Sequence, residues 1–443
     1  MLPLIPRYLI HFYTNMLTTS FQISGEYLLT LPLLLLLTLL AAWRFRWRDY
    51  RLPRKFLLES KKLLAVKTDD TRLLPRISVV IPCHNQALGL ASLLPELLQQ
   101  DYPDFEIIVC DEVSSDDTVA VMRSFTEKYP RIRFRQVPPT SRGINHRQLS
   151  ITMGVRAARG EWVILTTADA LPADKQWLRT FASHFSQDKA LVVGKTDFIS
   201  TGGGEAFRLA DFRNLRYLQM NLRSMRAGRP LTADLSNMAL HRDVFLSAGG
   251  FADSLSVPTG EGEMIVKALC QSLGFRRGKA CEWASACLEP SGRVLRELPD
   301  STAQRIEQTC FRHTVHCAPR RLRFYLFREG SATFSEFLFR LIALVYLVLR
   351  LHLSGILSLS STVFPAIVEM KPAEIFLHVS DSIVVLLVIA FLLLPSCLMR
   401  SGNRALGLSS YFWRLHRYSM TLPFQHFIDK IRHWRVRRDF CTK

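Results

Sequence analysis

The sequence lacks the usual phosphate-binding motifs of nucleotide-using enzymes. It contains no GxxxxGK[ST] segment, and the triple glycine at 202–204 neither follows a strand pattern nor opens a helix as a dinucleotide fingerprint would. The nine cysteines show no paired spacing of the kind found in disulfide frameworks. These absences argue against a P-loop protein, a dinucleotide-dependent enzyme and a disulfide-rich secreted domain.

Acidic residues are few compared with basic ones. The 443 residues contain 38 Asp+Glu and 57 Lys+Arg, which gives a net charge of +19. The basic residues are concentrated beside apolar runs and do not form a basic stretch interleaved with aromatics, so we expect no nucleic-acid partner. Eight lie within 44–62 and ten within 400–443, whereas the first 26 residues contain one. This distribution predicts a membrane protein whose two basic flanks face the cytoplasm.

Two uncharged runs are long enough to cross a membrane, at 27–43 and 382–399. A third apolar segment, 337–368, is interrupted by Arg350, His352 and Pro365 and is expected to be interfacial or a further crossing. We therefore divide the chain into a short N-terminal segment (1–26), a transmembrane helix (27–43), a basic juxtamembrane linker (44–75), a soluble domain (76–324), the interfacial or transmembrane segment (337–368), a transmembrane helix (382–399) and a basic cytoplasmic tail (400–443).

The soluble domain alternates apolar strand patterns with helical ones. This alternation predicts an α/β fold with a mostly parallel sheet and helices on both of its faces. The predicted strands are 77–82, 105–111, 131–137 and 161–169, and the predicted helices are 90–100, 114–129 and 145–160. We expect Ser114 or Ser115 to cap the second helix.

Five segments carry a resemblance to a known family. They read ISVVIPCHN, DYPDFEIIVCDEVSSDDT, GVRAARGEWVILTTADALP, SNMALHRDVFLSAGGF and TGEGEM. In order and spacing they resemble the motifs of inverting family-2 glycosyltransferases of the GT-A fold, and the flanking spans resemble those of bacterial membrane-anchored members. The resemblance implies a nucleotide-sugar donor, a lipid-linked or polysaccharide acceptor, and a catalytic domain on the cytoplasmic side of the bacterial inner membrane. It leaves the oligomeric state open.

On the donor side, the resemblance implies that Asn85, Asp111 and Glu112 contact the nucleotide. Asp169 stands where the second acid of the family's Asp-X-Asp motif binds a divalent metal, which implies Mg²⁺ or Mn²⁺ as cofactor. Thr167 stands at the first acid and supplies a hydroxyl without charge. The alternative is that these polar residues only end core strands.

On the acceptor side, the resemblance implies that Glu261 is the catalytic base and that Glu263 orients the acceptor. The alternative is that both acids only favour the start of a helix. Three further residues, Gln308, Arg312 and His313, resemble the family's diphosphate-binding Gln-X-X-Arg-Trp motif. Their spacing is one residue longer, and His stands in place of Trp.

Three functions agree with these patterns. The first is a membrane-anchored glycosyltransferase, and the second is a catalytically weakened homologue that acts as a scaffold or binding subunit in polysaccharide assembly. The third, a processive synthase with its own channel, is disfavoured by the small number of spans.

Overall fold

The computed structural model describes residues 74–138, 144–199, 205–228, 230–257, 260–274 and 281–297, together with nine isolated helical positions between 324 and 344. The predicted spans 27–43 and 382–399, the tail 400–443 and the Gln308, Arg312 and His313 set lie outside these residues, as does most of the linker 44–75. Within the described ranges, no helix has both the length and the apolar character needed to cross a membrane.

A seven-stranded sheet forms the centre of the described domain, with the order β3-β2-β1-β4-β8-β6-β9. Its strands are β1 (Ile77–Cys83), β2 (Phe105–Asp111), β3 (Ile132–Gln136), β4 (Trp162–Leu165), β6 (Leu191–Gly194), β8 (Met238–His241) and β9 (Ala284–Cys287). Only β8 runs antiparallel to its neighbours, β4 and β6. The predicted α/β fold with a mostly parallel sheet is therefore confirmed.

A smaller sheet of three strands has the order β5-β10-β7. These strands are β5 (Ala170–Pro172), β7 (Thr196–Ile199) and β10 (Val294–Glu297). Four residues separate the end of β4 from the start of β5, so the small sheet continues from the carboxyl edge of the large one. Strand β10 pairs with β5 so that Arg296 lies opposite Ala170, next to Asp169.

Seven helices, numbered in chain order, accompany the strands in the described residues. They are α1 (Ala87–Leu98), α2 (Thr118–Lys128), α3 (His146–Ala157), α4 (Trp177–Ala182), α5 (Glu205–Arg226), α6 (Arg242–Ser247) and α7 (Glu261–Leu273), and a 3-10 turn covers Pro290–Gly292. Helix α5, from Glu205 to Arg226, is the longest of these.

Successive residues of β1 pack into two different cores, one on each face of the large sheet. Val79 and Ile81 belong to a core that includes Leu93 of α1 and Phe181 of α4. Val80 belongs to a second core, which includes residues of α3, α6 and α7. Because side chains alternate along a strand, this division confirms the predicted helices on both faces. Every residue of β1 is buried, which explains its continuous apolar sequence.

The expected cap of the second helix is wrong. Helix α2 begins at Thr118, with Asp117 as its cap residue and without a capping side-chain hydrogen bond. Ser114 and Ser115 instead bond to the loop that follows β1, because their hydroxyl and amide groups face Asn85 across the sheet edge. A tertiary contact has therefore taken the place of the local one.

Candidate functional site at the carboxyl edge of the sheet

Three parallel strands bring the predicted donor residues to one edge. The register pairs Cys83 with Asp111 at the ends of β1 and β2, and it pairs Val80 with Leu165 at the end of β4. The loops after β1, β2 and β4 therefore leave the sheet on the same side. Crevices outside the carboxyl ends of strands are where open α/β sheets bind ligands.

Asn85 and Asp111 are held in one hydrogen-bonded loop pair. The Asn85 amide donates to Ser114 Oγ at 2.9 Å, and the Ser115 amide donates to Asn85 Oδ1 at 2.8 Å. The Ser114 amide lies 3.2 Å from each carboxylate oxygen of Asp111, which is fully buried. Asn85 has φ 51°, in the left-handed region that Asn adopts more easily than most residues. The structure thus brings these two predicted residues together.

Glu112 follows Asp111 and is buried against α3. Arg147 Nε lies 3.4 Å from Glu112 Oε1, and the Ser150 hydroxyl donates to the same oxygen at 3.3 Å. Burial raises the pKa of the Glu112 carboxyl; Arg147 and Ser150 oppose the rise, and the negative charge of Glu261 adds to it. Glu112 thus lies beside the first turns of α3, the helix whose cap residue, Asn145, contacts Glu261.

Glu261 is the first residue of α7 and contacts the start of α3. Asn145 Nδ2 donates to Glu261 Oε1 at 3.1 Å and to the carbonyl of Val257 at 2.9 Å. Asn145 Oδ1 also caps α3 by accepting from the Gln148 amide. Among the described residues, no side chain or amide donates to Glu261 Oε2, so this oxygen is available to accept a proton.

The backbone around Glu261 needs glycine on both sides. Gly260 has φ 92°, a left-handed conformation that side chains strain. A Cβ added to Gly262 would lie 1.8 Å from the carbonyl oxygen of Ala233. Gly260 thus serves as the left-handed cap at the start of α7.

Glu263 lies deeper than Glu261. Its Oε1 accepts hydrogen bonds from the Tyr217 hydroxyl at 2.6 Å and the Thr232 hydroxyl at 2.5 Å. Burial raises the pKa of Glu263, against the effect of these two hydrogen bonds and with a contribution from the charge of Glu261. In the described structure Glu263 thus belongs to a buried hydroxyl network, and the acceptor-orienting role stays a prediction.

Thr167 and Asp169 follow β4 and carry unpaired buried oxygens. Within the described structure, Thr167 Oγ1 and Asp169 Oδ1 are buried, and neither atom has a partner at hydrogen-bonding distance and angle. Asp169 Oδ2 accepts from Arg296 Nε at 2.6 Å. Burial alone would raise the pKa of Asp169, but Arg296 and the nearby Thr167 hydroxyl outweigh it and hold the pKa below its usual range.

These oxygens fit the expected metal. Mg²⁺ and Mn²⁺ take oxygen ligands, and Mg²⁺ is commonly held by one or two carboxylates together with substrate phosphates. Asp169 Oδ1 is an ionised, unpaired ligand of this kind, and the Thr167 hydroxyl is a neutral one. Asp169 does not belong to a preformed cluster of three or more candidate ligands in the described residues. Two oxygens are too few to hold an ion alone, so these residues fit a divalent ion that would take its other ligands from a diphosphate and water.

Sequence reasoning missed three side chains of this site: Asn145, Arg147 and Arg296. Asn145 begins a helix and Arg147 follows two residues later, so helix capping was a signal for the first. Arg296 is 127 residues from Asp169 along the chain and reaches it through the pairing of β10 with β5. No local pattern in the VLRE strand indicates that contact.

The comparisons with known proteins concern the domain that carries this site. Residues 78–247 match the family model of Glycosyl transferase family 2. The probable glycosyltransferase YdaM of Bacillus subtilis is 25% identical over 193 residues, which cover 42% of this chain and 45% of that protein. A Campylobacter jejuni protein, GalNAc(5)-diNAcBac-PP-undecaprenol beta-1,3-glucosyltransferase, is 31% identical over 96 residues, or 22% of this chain and 30% of that protein.

The match to the relatives is partial, since it spans about half of YdaM and about a third of the Campylobacter protein. Among solved structures, the mannosyltransferase PcManGT from Pyrobaculum calidifontis, in complex with GDP-Man and Mn²⁺, is similar at 18% identity and a TM-score of 0.43, covering 84% of this chain and 97% of that one. The family model covers the strands and loops that hold Asn85, Asp111 and Asp169. The chain therefore carries a glycosyltransferase domain of family 2.

Proposed function

We propose that this protein transfers a sugar from a nucleotide-sugar to a lipid-linked or polysaccharide acceptor, with its catalytic domain at the cytoplasmic face of a bacterial inner membrane. The observation that carries the proposal is the grouping of Asn85, Asp111 and Glu112 at the carboxyl edge of a parallel sheet, with Glu112 and Glu261 both held by residues at the start of α3. The family match supports the GT-A fold and the reaction class. The name of the Campylobacter relative supports a lipid-linked diphosphate as acceptor.

On the donor side, Asp111 and the Asn85 loop are proposed to bind the nucleoside. The Ser114 amide orients the Asp111 carboxylate, so the loop is fixed before a nucleotide arrives. Asp169, through Oδ1, and Thr167 are the residues that would hold a divalent ion, and such an ion supplies positive charge to the leaving diphosphate. The diphosphate would also face Arg296, whose guanidinium is paired with Asp169 Oδ2.

On the acceptor side, Glu261 is proposed to remove the proton from the attacking hydroxyl. Asn145 fixes Oε1, which leaves Oε2 to accept the proton as the hydroxyl oxygen attacks the anomeric carbon. Attack on the face opposite the leaving diphosphate inverts the anomeric centre.

The first experiment separates an enzyme from a binding protein. Glu261→Gln keeps the size and the hydrogen bond from Asn145 but cannot accept a proton, so transfer should fall by about a hundredfold or more while nucleotide-sugar binding stays near normal. Glu263→Gln is the matched control two residues away, because its Oε1 still accepts from both hydroxyls. Equal and mild losses in the two variants would favour a helix-start role for both acids.

The membrane part of the proposal rests on the uncharged runs and on the basic flanks in the sequence. If the basic flanks 44–62 and 400–443 both lie on the cytoplasmic side, the connector 369–381 between the last two apolar segments lies outside. A single cysteine at Glu374, in a background without other reactive thiols, should then react with an impermeant thiol reagent added to intact cells. Labelling of a cysteine in the glycosyltransferase domain instead, under the same conditions, would reverse the orientation.

A second candidate is a binding subunit of a polysaccharide-assembly complex without transferase activity. The observation that favours it is the ion pair of Asp169 with Arg296, combined with the uncharged Thr167. Titration of the purified full-length chain with UDP-, GDP- and TDP-sugars, with Mg²⁺ or Mn²⁺ present or withheld, tests it. Donor binding without transfer to any acceptor, together with unaltered polysaccharide assembly in Glu261→Gln cells, would select this candidate.

A further inference from the structure

Three buried side chains form a group outside the candidate site. His184 lies two residues after the end of α4, Cys287 ends β9, and Glu289 precedes the 3-10 turn. Each is at most 7% exposed. His184 Nε2 lies 3.1 Å from both carboxylate oxygens of Glu289, and one candidate ligand atom from each of the three residues lies within 4.8 Å of the others.

We propose that His184, Cys287 and Glu289 bind a zinc ion. Imidazole nitrogen, thiolate sulfur and carboxylate oxygen are the protein ligands of Zn²⁺, at about 2.0, 2.3 and 2.0–2.2 Å. A tetrahedral ion with those bonds separates its nitrogen and oxygen ligands by about 3.3 Å and its sulfur from either by about 3.5 Å. The observed nitrogen–oxygen separation of 3.1 Å is close to this value. Since the sulfur lies within 4.8 Å of the other two ligand atoms, its separation from either must shorten by at most about 1.3 Å to reach that geometry, and one position remains for water.

Charge and ligand type support the same ion. Two positive charges on zinc, one negative charge each on thiolate and carboxylate, and a neutral imidazole add up to zero. A neutral complex avoids the cost of a net charge in a buried position. Sulfur and nitrogen ligands also favour zinc over Mg²⁺ or Mn²⁺, so this group differs in kind from the all-oxygen set of Asp169 and Thr167.

The place of the group in the fold suggests a structural role for the ion. It would tie the end of α4 to the connection between β9 and β10. That connection packs closely on the thiol, because a Cβ added to Gly292 would lie 2.2 Å from Cys287 Sγ. Strand β10 begins five residues after Glu289 and presents Arg296 to Asp169. The zinc would therefore stabilise the strand that carries an arginine of the candidate donor site.

The test uses the full-length chain with Asp169→Asn as the parent protein. This substitution removes the ionised oxygen ligand of the donor site, so zinc found in the protein is not an ion bound at Asp169. Elemental analysis after zinc-supplemented expression and gel filtration should find near-equimolar zinc. His184→Gln and Cys287→Ser should each lower it to background, whereas Cys270→Ser, which changes a cysteine of α7 outside the group, should not. His184→Gln can keep a hydrogen bond to Glu289, so its fold should survive.

Cobalt provides a second readout. Replacement of zinc by Co²⁺ should give a thiolate-to-cobalt charge-transfer band that is lost in Cys287→Ser and kept in Cys270→Ser. Zinc at background in the Asp169→Asn protein would overturn the proposal. Zinc that both the His184→Gln and Cys287→Ser variants retain would also overturn it, since the ion would then lie elsewhere. If the variants fail to fold, absence of the cobalt band in the parent protein also overturns it. None of these results depends on sugar transfer.

Discussion

Replacing Arg296 by glutamine should strengthen the binding of Mn²⁺. In the protein, Arg296 Nε donates to Asp169 Oδ2 at 2.6 Å, and both side chains are only partly exposed. A hydrogen bond to a charged group contributes about 1.5–3 kcal/mol, and about 1.4 kcal/mol corresponds to a tenfold change in a binding constant. Because partial exposure weakens the ion pair, we expect its contribution to lie at the lower end of this energy range, which corresponds to a gain in Mn²⁺ affinity of about tenfold.

The assay is a direct titration of Mn²⁺ followed by the paramagnetic resonance signal of the free ion, without donor or acceptor. Arg293→Gln is the matched control, because it removes the same charge from a neighbouring arginine that pairs with Asp197, at 3.4 Å, and not with Asp169. Asp169→Asn should abolish the binding that Arg296→Gln strengthens. Unchanged or weaker Mn²⁺ binding in Arg296→Gln would refute the reasoning and would show that the arginine holds Asp169 in its binding orientation.

Three further predictions concern the acceptor side. Asn145→Asp keeps an oxygen to cap α3 but places a negative charge beside Glu261, so the acidic limb of the pH–rate profile should move to higher pH; Asn145→Ser loses the same hydrogen bond without adding a charge, so it should move the limb less, and equal shifts would contradict the charge effect. Because burial raises the pKa of Glu263, the folded state holds that proton to higher pH than the unfolded state does, and stability should fall as pH rises from the unfolded pKa through the folded one. Thermal midpoints measured across this pH range should fall in the parent protein and not in Glu263→Gln. Parallel curves for the two proteins would contradict the raised pKa. Gly262→Ala should lower the urea midpoint by an amount equivalent to about 3 kcal/mol, because its Cβ would overlap the Ala233 carbonyl, and an unchanged midpoint would contradict that close approach.

The strands and their order along the chain could be predicted because their signal is local. Phe105–Asp111 is continuous in apolar character and buried on both faces, and the prediction matches its observed bounds. The convergence of Asn85 and Asp111 then follows from parallel pairing, since the ends of neighbouring parallel strands share one edge. Both depend on periodicity and on a general rule of α/β sheets.

The contacts that modify the site could not be predicted in the same way. Arg296 reaches Asp169 only because β10 joins the small sheet, and His184 meets Glu289 across 105 residues of sequence. The wrong cap at Ser114 has a similar cause, because its hydroxyl accepts from the Asn85 amide 29 residues away. Local propensity describes what a residue prefers, and tertiary partners decide which preference is satisfied.

The charges at the sheet edge determine how a donor can bind. Glu112 and Asp169 each have one arginine partner, Arg147 and Arg296, so the two guanidinium groups are already engaged before an anionic diphosphate arrives. A diphosphate must therefore either draw an arginine away from its acid or arrive with a divalent ion that satisfies both anions. The first route leaves a buried carboxylate unpaired, which is costly, whereas the second uses the unpaired Oδ1 of Asp169. If a divalent ion binds as proposed, it must compete with Arg296 for Asp169, so the metal concentration needed for donor binding should depend on Arg296 as well as on the uncharged Thr167.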